Sequence, residues 1–491
     1  MRDVKENPAH EHSGGHERRQ RTSVHDHLAM VRQMREKWLW THATVMMLGL
    51  WLVTSPFTFA YTSPAMRCSD IASGALLVLA AGAAAWPRFD FAGRWGAAFV
   101  GLWLQLAPLA FWAPEPVAYA NDTLVGALVI ALTILVPMMP GMAHHMAMMK
   151  PGPDIPPGWS YNPSSWHQRA PMIVLAFISL LMSRHLAAFQ LGYIDTIWEP
   201  FFGEGTVRVL TSDVSRAWPV SDAGLGALAY TLEMLMAWMG GKARWRTMPW
   251  MVTFFFILVV PLGITSIVLV ILQPIAVGYW CTLCLGTAAL MLVMIPFTVD
   301  EVVAMGQFLA QSVRDDKPLW RTFWVGDTIE GGSADLRTPR YGVPAGRVIG
   351  PTAWGVTAPW TLVVSAMLGV WLMFAPAALG SAATSAHSDR LVGALVVSVA
   401  VTVMAEVIRA GRFVNVLFGA WIVVAPWLLT GASSAARWNA AVVGVALIVL
   451  SIPRGRVTER YGRWDRYVVW PHMAPAAVAA VRPARTAGRP K

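Results

Sequence analysis

Long, continuously apolar runs constrain this chain more than any other feature. Stretches such as VGALVIALTILVP and MPWMVTFFFILVVPLGITSIVLVIL approach or reach the ~20 apolar residues that a helix needs to cross a hydrocarbon core. A membrane β-barrel would instead show alternating apolar and polar residues over segments of about ten. Only 13% of the 491 residues are charged, against about a quarter in a typical soluble domain. The sequence therefore predicts an all-α, polytopic membrane protein.

Apolar segments of helical length follow one another along most of the chain. We interpret them as about twelve transmembrane helices. The predicted spans are residues 42–60, 69–86, 95–112, 121–139, 171–190, 222–240, 249–272, 282–299, 358–375, 390–408, 412–429 and 437–453.

The distribution of basic residues predicts how these spans are oriented. With the N-terminus in the cytosol, nearly all of the 38 Lys and Arg residues fall in cytosolic loops and tails. The exceptions are Arg67, Arg184, Arg208, Arg216, Arg390 and Arg437. Cytosolic loops of membrane proteins are enriched in Lys and Arg, so we expect a multi-pass protein of the cell membrane with both termini cytosolic. The same rule explains the net charge of +10, so we expect no nucleic-acid partner.

A short motif recurs four times, in the first and last groups of spans. In each copy a Trp is followed five residues later by a Pro, and a polar loop then leads into a second apolar run. The Pro removes a backbone hydrogen bond, and a Gly in the return helix permits close helix approach. The motif therefore predicts four helical hairpins, two before residue 140 and two after residue 357. The copies are LGLWLVTSPFTF from Leu48, VGLWLQLAPLAF from Val100, LGVWLMFAPAAL from Leu368 and FGAWIVVAPWLL from Phe418.

These hairpins resemble the SPW repeat family of membrane domains, named for a Ser-Pro-Trp motif. The first copy contains Ser55-Pro56-Phe57 and the last contains Ala425-Pro426-Trp427. The resemblance implies an architecture of paired helical hairpins and very little about function.

Two cysteines, Cys281 and Cys284, begin the eighth predicted span within GYWCTLCLG. The predicted orientation puts them at the outer face, where disulfides are permitted. A helix N-terminus favours the thiolate, which is the reactive form of cysteine. The pair is therefore a candidate redox couple, although two small cysteines also pack well inside a membrane helix.

Further motif residues surround this pair in the central region, residues 165–310. Val209 and Ser212 form a Val-x-x-Ser signature, Pro219 follows, and Gly226 and Tyr230 form a Gly-x-x-x-Tyr. Together with the cysteine pair, these motifs resemble the vitamin K epoxide reductase family. The resemblance implies a four-helix bundle in which an outward-facing Cys-x-x-Cys passes electrons to a membrane quinone of the menaquinone or ubiquinone type.

The resemblance also implies roles for individual residues. Cys281 and Cys284 are the catalytic pair, and Ser212, Asp222 and Tyr230 are the candidate quinone-binding residues. We expect Cys281 to be the more exposed cysteine and to react with an outer-face thiol protein, with Cys284 on the quinone side. No metal site is expected.

Three departures from the family pattern bear on activity. Thr206 stands where a loop cysteine normally precedes the Val-x-x-Ser, and no cysteine occurs between Cys68 and Cys281. Ala288 stands where some members have a quinone-contacting Tyr. A reductant must then reach the catalytic pair directly, or the electron relay is lost. Cys68, in a predicted outer loop, either replaces that relay, links two chains or is inert.

Two functional hypotheses remain open. The first is an enzyme, a thiol:quinone oxidoreductase that supports disulfide formation. The second is a non-catalytic membrane scaffold with a degenerate reductase module. A transporter is disfavoured because no pair of interrupted helices with buried charged partners is evident. The predicted organisation is a polar cytosolic tail (1–37), repeats 1 and 2 (38–140), the four-helix reductase-like module (165–310), a basic cytosolic linker (311–357), repeats 3 and 4 (358–453) and a basic cytosolic tail (454–491).

Overall fold

The structure, a computed structural model, describes residues 33, 36–137, 151–340 and 342–469. Most of the predicted N-terminal tail and the end of the predicted C-terminal tail lie outside these residues. Secondary structure in the described part consists of helices and three isolated β-bridges, without a β-strand. The predicted all-α class is confirmed.

A long helix occupies the position of every predicted span. By length and composition, eight helical stretches among the described residues suit a membrane span. The protein is thus a multi-pass membrane protein, and the count of twelve spans stays a prediction. The long helices are α1 (residues 36–58), α2 (Pro64–Ala84), α3 (Asp90–Ala110), α4 (Pro116–Ile130), α5 (Trp166–Gln190), α6 (Asp222–Trp238), α7 (Pro249–Leu272), α8 (Thr282–Arg314), α9 (Trp360–Leu379), α10 (Ala383–Thr402), α11 (Val414–Leu428) and α12 (Ser434–Ser451).

The chain divides into two compact units. The first contains α1–α4, most of α5, and α6, whereas the second contains α7–α12. The division passes through the predicted reductase-like module twice, within α5 and between α6 and α7. The predicted segment boundaries remain predictions. The first unit comprises Met1–Pro151, Ala176–Gly240 and Trp324–Thr328, and the second comprises Gly152–Leu175, Gly241–Phe323 and Ile329–Lys491.

Each repeat is a hairpin whose two helices meet at a pair of glycines. A Cβ atom added to Gly49 would lie 2.7 Å from the carbonyl oxygen of Gly74. A Cβ atom on Gly126 would lie 2.6 Å from the carbonyl oxygen of Gly101. Only glycine permits backbones to pack this closely, as the repeat motif predicted. Equivalent contacts join Gly369 to Gly393 and Gly419 to Gly444.

The motif tryptophans join neighbouring hairpins into pairs. In the first pair, Trp51 Nε1 donates to Asn121 Oδ1 at 2.8 Å, and Trp103 Nε1 donates to Ser69 Oγ at 3.1 Å. Each hairpin therefore supplies one indole donor and one acceptor to its neighbour. The second pair repeats this exchange, with Trp371 donating to Asn439 at 2.8 Å and Trp421 donating to Ser388 at 3.0 Å.

Both repeat pairs pack against helices of the central module within their own unit. In the first unit, Leu109, Tyr119 and Ala187 form an apolar cluster between α3, α4 and α5. In the second unit, Val270 packs with Met373 and Ala394, which joins α7 to α9 and α10. The repeats are therefore part of the environment of the module.

Helix α8 continues to Arg314, well beyond the predicted end of the span at residue 299. Hydropathy falls where charged residues begin, but Glu301 is paired inside the fold rather than hydrated. Arg244 donates to Glu301 through Nε and Nη2, each at 2.7 Å. A buried charge is tolerated when it is paired and hydrogen-bonded, and this pairing lets the helix continue through a polar layer of the second unit.

The chain after α12 folds onto the same polar layer. Glu406 accepts hydrogen bonds from the backbone N–H of Thr458 at 2.9 Å and from the Tyr461 hydroxyl at 3.0 Å. Burial and the nearby carboxylates of Asp300 and Glu406 raise the pKa of Tyr461, so this phenol stays a hydrogen-bond donor. The start of the predicted C-terminal tail is therefore an integral part of the second unit.

Candidate functional site

A disulfide joins Cys281 and Cys284, with 5.3 Å between their Cα atoms. Cys281 is the N-cap of α8, and its Sγ accepts a hydrogen bond from the backbone N–H of Cys284 at 3.1 Å. The predicted position of the pair at a helix N-terminus is thereby confirmed. Backbone N–H groups at this end favour negative charge, so they can stabilise a Cys281 thiolate when the disulfide is reduced.

The connection between α7 and α8 positions Cys281. Helix α7 ends in a π-helical turn, Gln273–Val277, in which Pro274 cannot donate a backbone hydrogen bond. Gly278 then reverses the chain in the left-handed conformation, with φ of 81°, which glycine adopts without strain. The side chain of Gln273 is buried, and its Oε1 accepts the backbone N–H of Cys281 at 3.0 Å.

The exposure of the two cysteines is the reverse of the expected order. Cys281 is 0% exposed, whereas Cys284 is partly exposed. The expectation that Cys281 is the more exposed cysteine is therefore wrong. The physical reason is its capping position, because an N-cap side chain folds back over the first helical turn.

The third repeat contacts the cysteine loop. The ring centroids of Trp280 and Phe374 are 5.0 Å apart. Arg390, on α10, donates from Nη1 to the carbonyl oxygen of Pro274 at 3.1 Å. These contacts fix both ends of the connection between α7 and α8, so the repeat helps to position the disulfide.

The second unit contains an apolar cavity of about 320 Å³ between α7, α8, α9 and α10. Leu285, which directly follows Cys284, contributes to its lining, as does Ala288 one turn further along α8. Ala288, which stands where some family members have a Tyr, therefore lies in the wall of this cavity. The hydrocarbon lining suits the apolar part of a membrane quinone.

The candidate quinone-binding residues lie in the first unit, whereas the cysteine pair lies in the second. Asp222 Oδ1 accepts hydrogen bonds from Ser215 Oγ at 3.0 Å and from Gln190 Nε2. Ser212 caps a short helix by accepting the backbone N–H of Ser215 at 3.4 Å. The structure thus connects Ser212 and Asp222 through Ser215. Tyr230 is buried two turns further along α6. Quinone binding by the three predicted residues stays a prediction.

The loop that bears a cysteine pair in the family is held here by hydrogen bonds. Thr206, at the position of a loop cysteine, donates its hydroxyl to Glu199. Glu199 also accepts the backbone N–H groups of Phe201 and Phe202, both at 3.1 Å. Cys68 is a free, exposed thiol near the start of α2, and not in a loop as predicted.

Several residues of the site were not identified from the sequence. Gln273 is a polar residue at the end of a long apolar run, which is a usable signal for a buried hydrogen bond. Ser215 lies three residues after Ser212, the spacing of an N-cap bond. Phe374 gives no such signal, because its contact with Trp280 joins distant segments of the chain.

The fold and the disulfide define a multi-pass membrane protein in which a helical module carries a Cys-x-x-Cys pair between helical repeats. A family model described as the vitamin K epoxide reductase family matches residues 170–299, and one described as the SPW repeat domain matches residues 39–136 and 353–453. No curated protein and no solved structure matches. Both predicted resemblances are confirmed. The first match indicates membrane thiol–disulfide chemistry with quinone-type substrates.

Proposed function

We propose that this protein is a membrane thiol:quinone oxidoreductase that forms disulfides in partner proteins. The observation that carries the proposal is the Cys281–Cys284 disulfide at the N-terminus of α8. An apolar cavity lined by Leu285, which directly follows Cys284, and the family match to residues 170–299 support it.

The proposed reaction transfers two electrons and two protons. A thiolate of the partner attacks the Cys281–Cys284 disulfide and forms a mixed disulfide. The second partner thiol resolves it, which releases the partner disulfide and leaves both cysteines reduced. A bound quinone then supplies the oxidising capacity, since it accepts two electrons and two protons to become a quinol. The two cysteines re-form their disulfide and the cycle is complete.

The residues around the pair fit this chemistry. The N–H of Cys284 points at Cys281 Sγ and can stabilise a thiolate there. Gln273 is a positioning residue, because it holds the backbone of Cys281. Cys284 precedes the cavity wall and is assigned to the quinone side. Since Cys281 is buried, its reaction with an outside thiol requires local opening of the loop.

Asp222, Ser212 and Tyr230 are proposed to bind the quinone head group. We further propose that the protein lies in the cell membrane with both termini in the cytosol and the cysteine pair at the outer face. The distribution of Lys and Arg supports this orientation.

The test uses purified protein in lipid vesicles, a reduced dithiol peptide and a ubiquinone or menaquinone. The parent protein should reduce the quinone and oxidise the peptide in equal amounts. Cys281→Ala and Cys284→Ala should each abolish turnover, whereas Cys68→Ala, which removes the remaining cysteine, should retain it. Turnover that survives Cys284→Ala would contradict the mechanism.

A scaffold function is the second candidate. The hydrogen bonds of Glu199 and Thr206 in place of a loop cysteine favour it, because they hold the loop without any relay chemistry. In that case the parent protein would reduce no quinone, and all three cysteine variants would fold and bind partners as the parent does.

A further inference from the structure

The apolar cavity has walls from two different parts of the chain. Leu285, Ala288 and Leu292 contribute to the wall on the side of α7 and α8. Phe374 and Ala394 contribute to the facing wall, formed by α9 and α10 of the third repeat. Its volume of about 320 Å³ is near the lower end of the roughly 300–1,000 Å³ found for small-ligand sites. A repeat therefore builds half of a ligand-sized cavity.

The lining side chains offer no free hydrogen-bond donor to an occupant. Ser398 carries the lining hydroxyl, and that group already donates to the carbonyl oxygen of Ala394 at 2.7 Å. The remaining lining side chains are hydrocarbon or thioether. A head group with carbonyl acceptors, such as a quinone ring, would lose its hydrogen bonds with water in the cavity and find no side-chain donor there. The occupant that fits is a hydrocarbon chain.

Two lining residues relate the cavity to the reactive pair. Leu285 directly follows Cys284, and the Phe374 ring of the facing wall packs against Trp280, which directly precedes Cys281. A hydrocarbon chain in the cavity would therefore hold an attached head group close to the disulfide.

We propose that this cavity binds the isoprenoid tail of a membrane quinone, and that the third SPW repeat is a tail-binding wall. The inference rests on the proposed thiol:quinone activity. A quinone joins an uncharged redox ring to a hydrocarbon tail, so its ring can meet Cys284 while its tail stays among apolar side chains. The small side chain of Ala288 keeps this space open, since a larger residue there would project into the cavity.

A substitution in the third repeat that fills the cavity with a larger side chain tests the proposal. Ala394→Phe adds a ring to the cavity wall on α10, and Ala420→Phe adds the same ring at an exposed position on α11, as a matched control. Each variant is assayed with a long-tailed ubiquinone and with a tail-less benzoquinone. We expect Ala394→Phe to raise the KM for the long-tailed quinone about tenfold, equivalent to about 1.4 kcal/mol, and to leave the KM for the tail-less quinone unchanged. Equal effects on both quinones, or none on either, would overturn the proposal.

Photo-cross-linking of the unsubstituted protein gives a second readout that needs no turnover. A photoreactive polyprenyl probe in vesicles should label peptides from residues 285–293 and 394–401, and a long-tailed quinone should compete with it. Labelling of the same residues by a fatty-acyl probe, without competition by quinone, would assign the cavity to phospholipid and refute the inference. If the protein reduces neither quinone, the proposed activity fails, whereas the cross-linking still identifies the occupant.

Discussion

Replacing Gln273 should open the loop that buries Cys281. In the structure a single side-chain hydrogen bond, 3.0 Å long, holds the backbone N–H of Cys281. Gln273→Met keeps the approximate shape of the side chain and removes the acceptor. A buried donor left without a partner costs about 1–3 kcal/mol. If the closed loop carries that cost, the population of the open loop rises by about 5- to 150-fold.

The chain permits a clean measurement, because it contains three cysteines in total. In a Cys68→Ser, Cys284→Ser background, Cys281 is the remaining thiol, and its alkylation by a maleimide reports exposure. When the loop opens and closes faster than the maleimide reacts, the alkylation rate of a buried thiol is proportional to the population of the open loop. We therefore expect Gln273→Met to accelerate the alkylation of Cys281 by a factor in that range.

Ile275→Met is the matched control, since it introduces the same side chain two residues away and leaves the bond from Cys281 N–H to Gln273 intact. It should leave the alkylation rate within about threefold of the background, a change of less than 1 kcal/mol. An unchanged rate in Gln273→Met would show that this hydrogen bond does not hold the loop closed. A background rate already as fast as that of a free peptide thiol would show that Cys281 is not buried in the reduced protein.

Two further predictions concern stability and are measured by unfolding of the purified protein in mixed detergent micelles. Arg244→Met should destabilise the second unit by about 3–5 kcal/mol, because it leaves the buried carboxylate of Glu301 without its charged partner. The double variant Arg244→Met, Glu301→Leu should recover much of this loss of stability. If it recovers none, the pairing argument is contradicted. Gly126→Ala should destabilise the protein by about 1–3 kcal/mol, because its Cβ would lie 2.6 Å from the carbonyl oxygen of Gly101. Gly82→Ala, with no atom within 4 Å of its Cβ, should be neutral or stabilising by up to about 1 kcal/mol, and similar losses in both glycine variants would argue against a specific helix contact.

The predicted repeat motif proved informative about structure because its residues act locally. Gly49 of the first copy packs against Gly74 of the return helix, as the motif predicted. The reciprocal bonds from Trp51 to Asn121 and from Trp103 to Ser69 could not be derived from the motif, since they join one hairpin to the next. The pattern predicted hairpins, and the structure added how two hairpins are joined.

The candidate site was predicted in part. The position of Cys281 at the start of α8 follows from the hydropathy run that begins there, and this was correct. Its burial was not predicted, because exposure at a helix N-terminus depends on which way the capping side chain folds. The end of α8 was also missed, since the pairing of Glu301 with Arg244 cannot be seen in local hydropathy.

The sequence by itself determined the membrane class, the helical repeats, the family resemblance of the central module and the cysteine pair. These are properties of short segments, in which spacing and hydropathy act over one or two helical turns. Tertiary structure alone decided that Phe374 contacts the cysteine loop, that Glu301 is paired with Arg244 inside the fold, and that a repeat forms one wall of an apolar cavity lined by Leu285. These features depend on residues far apart in the chain, and their contacts exist only after the helices have packed.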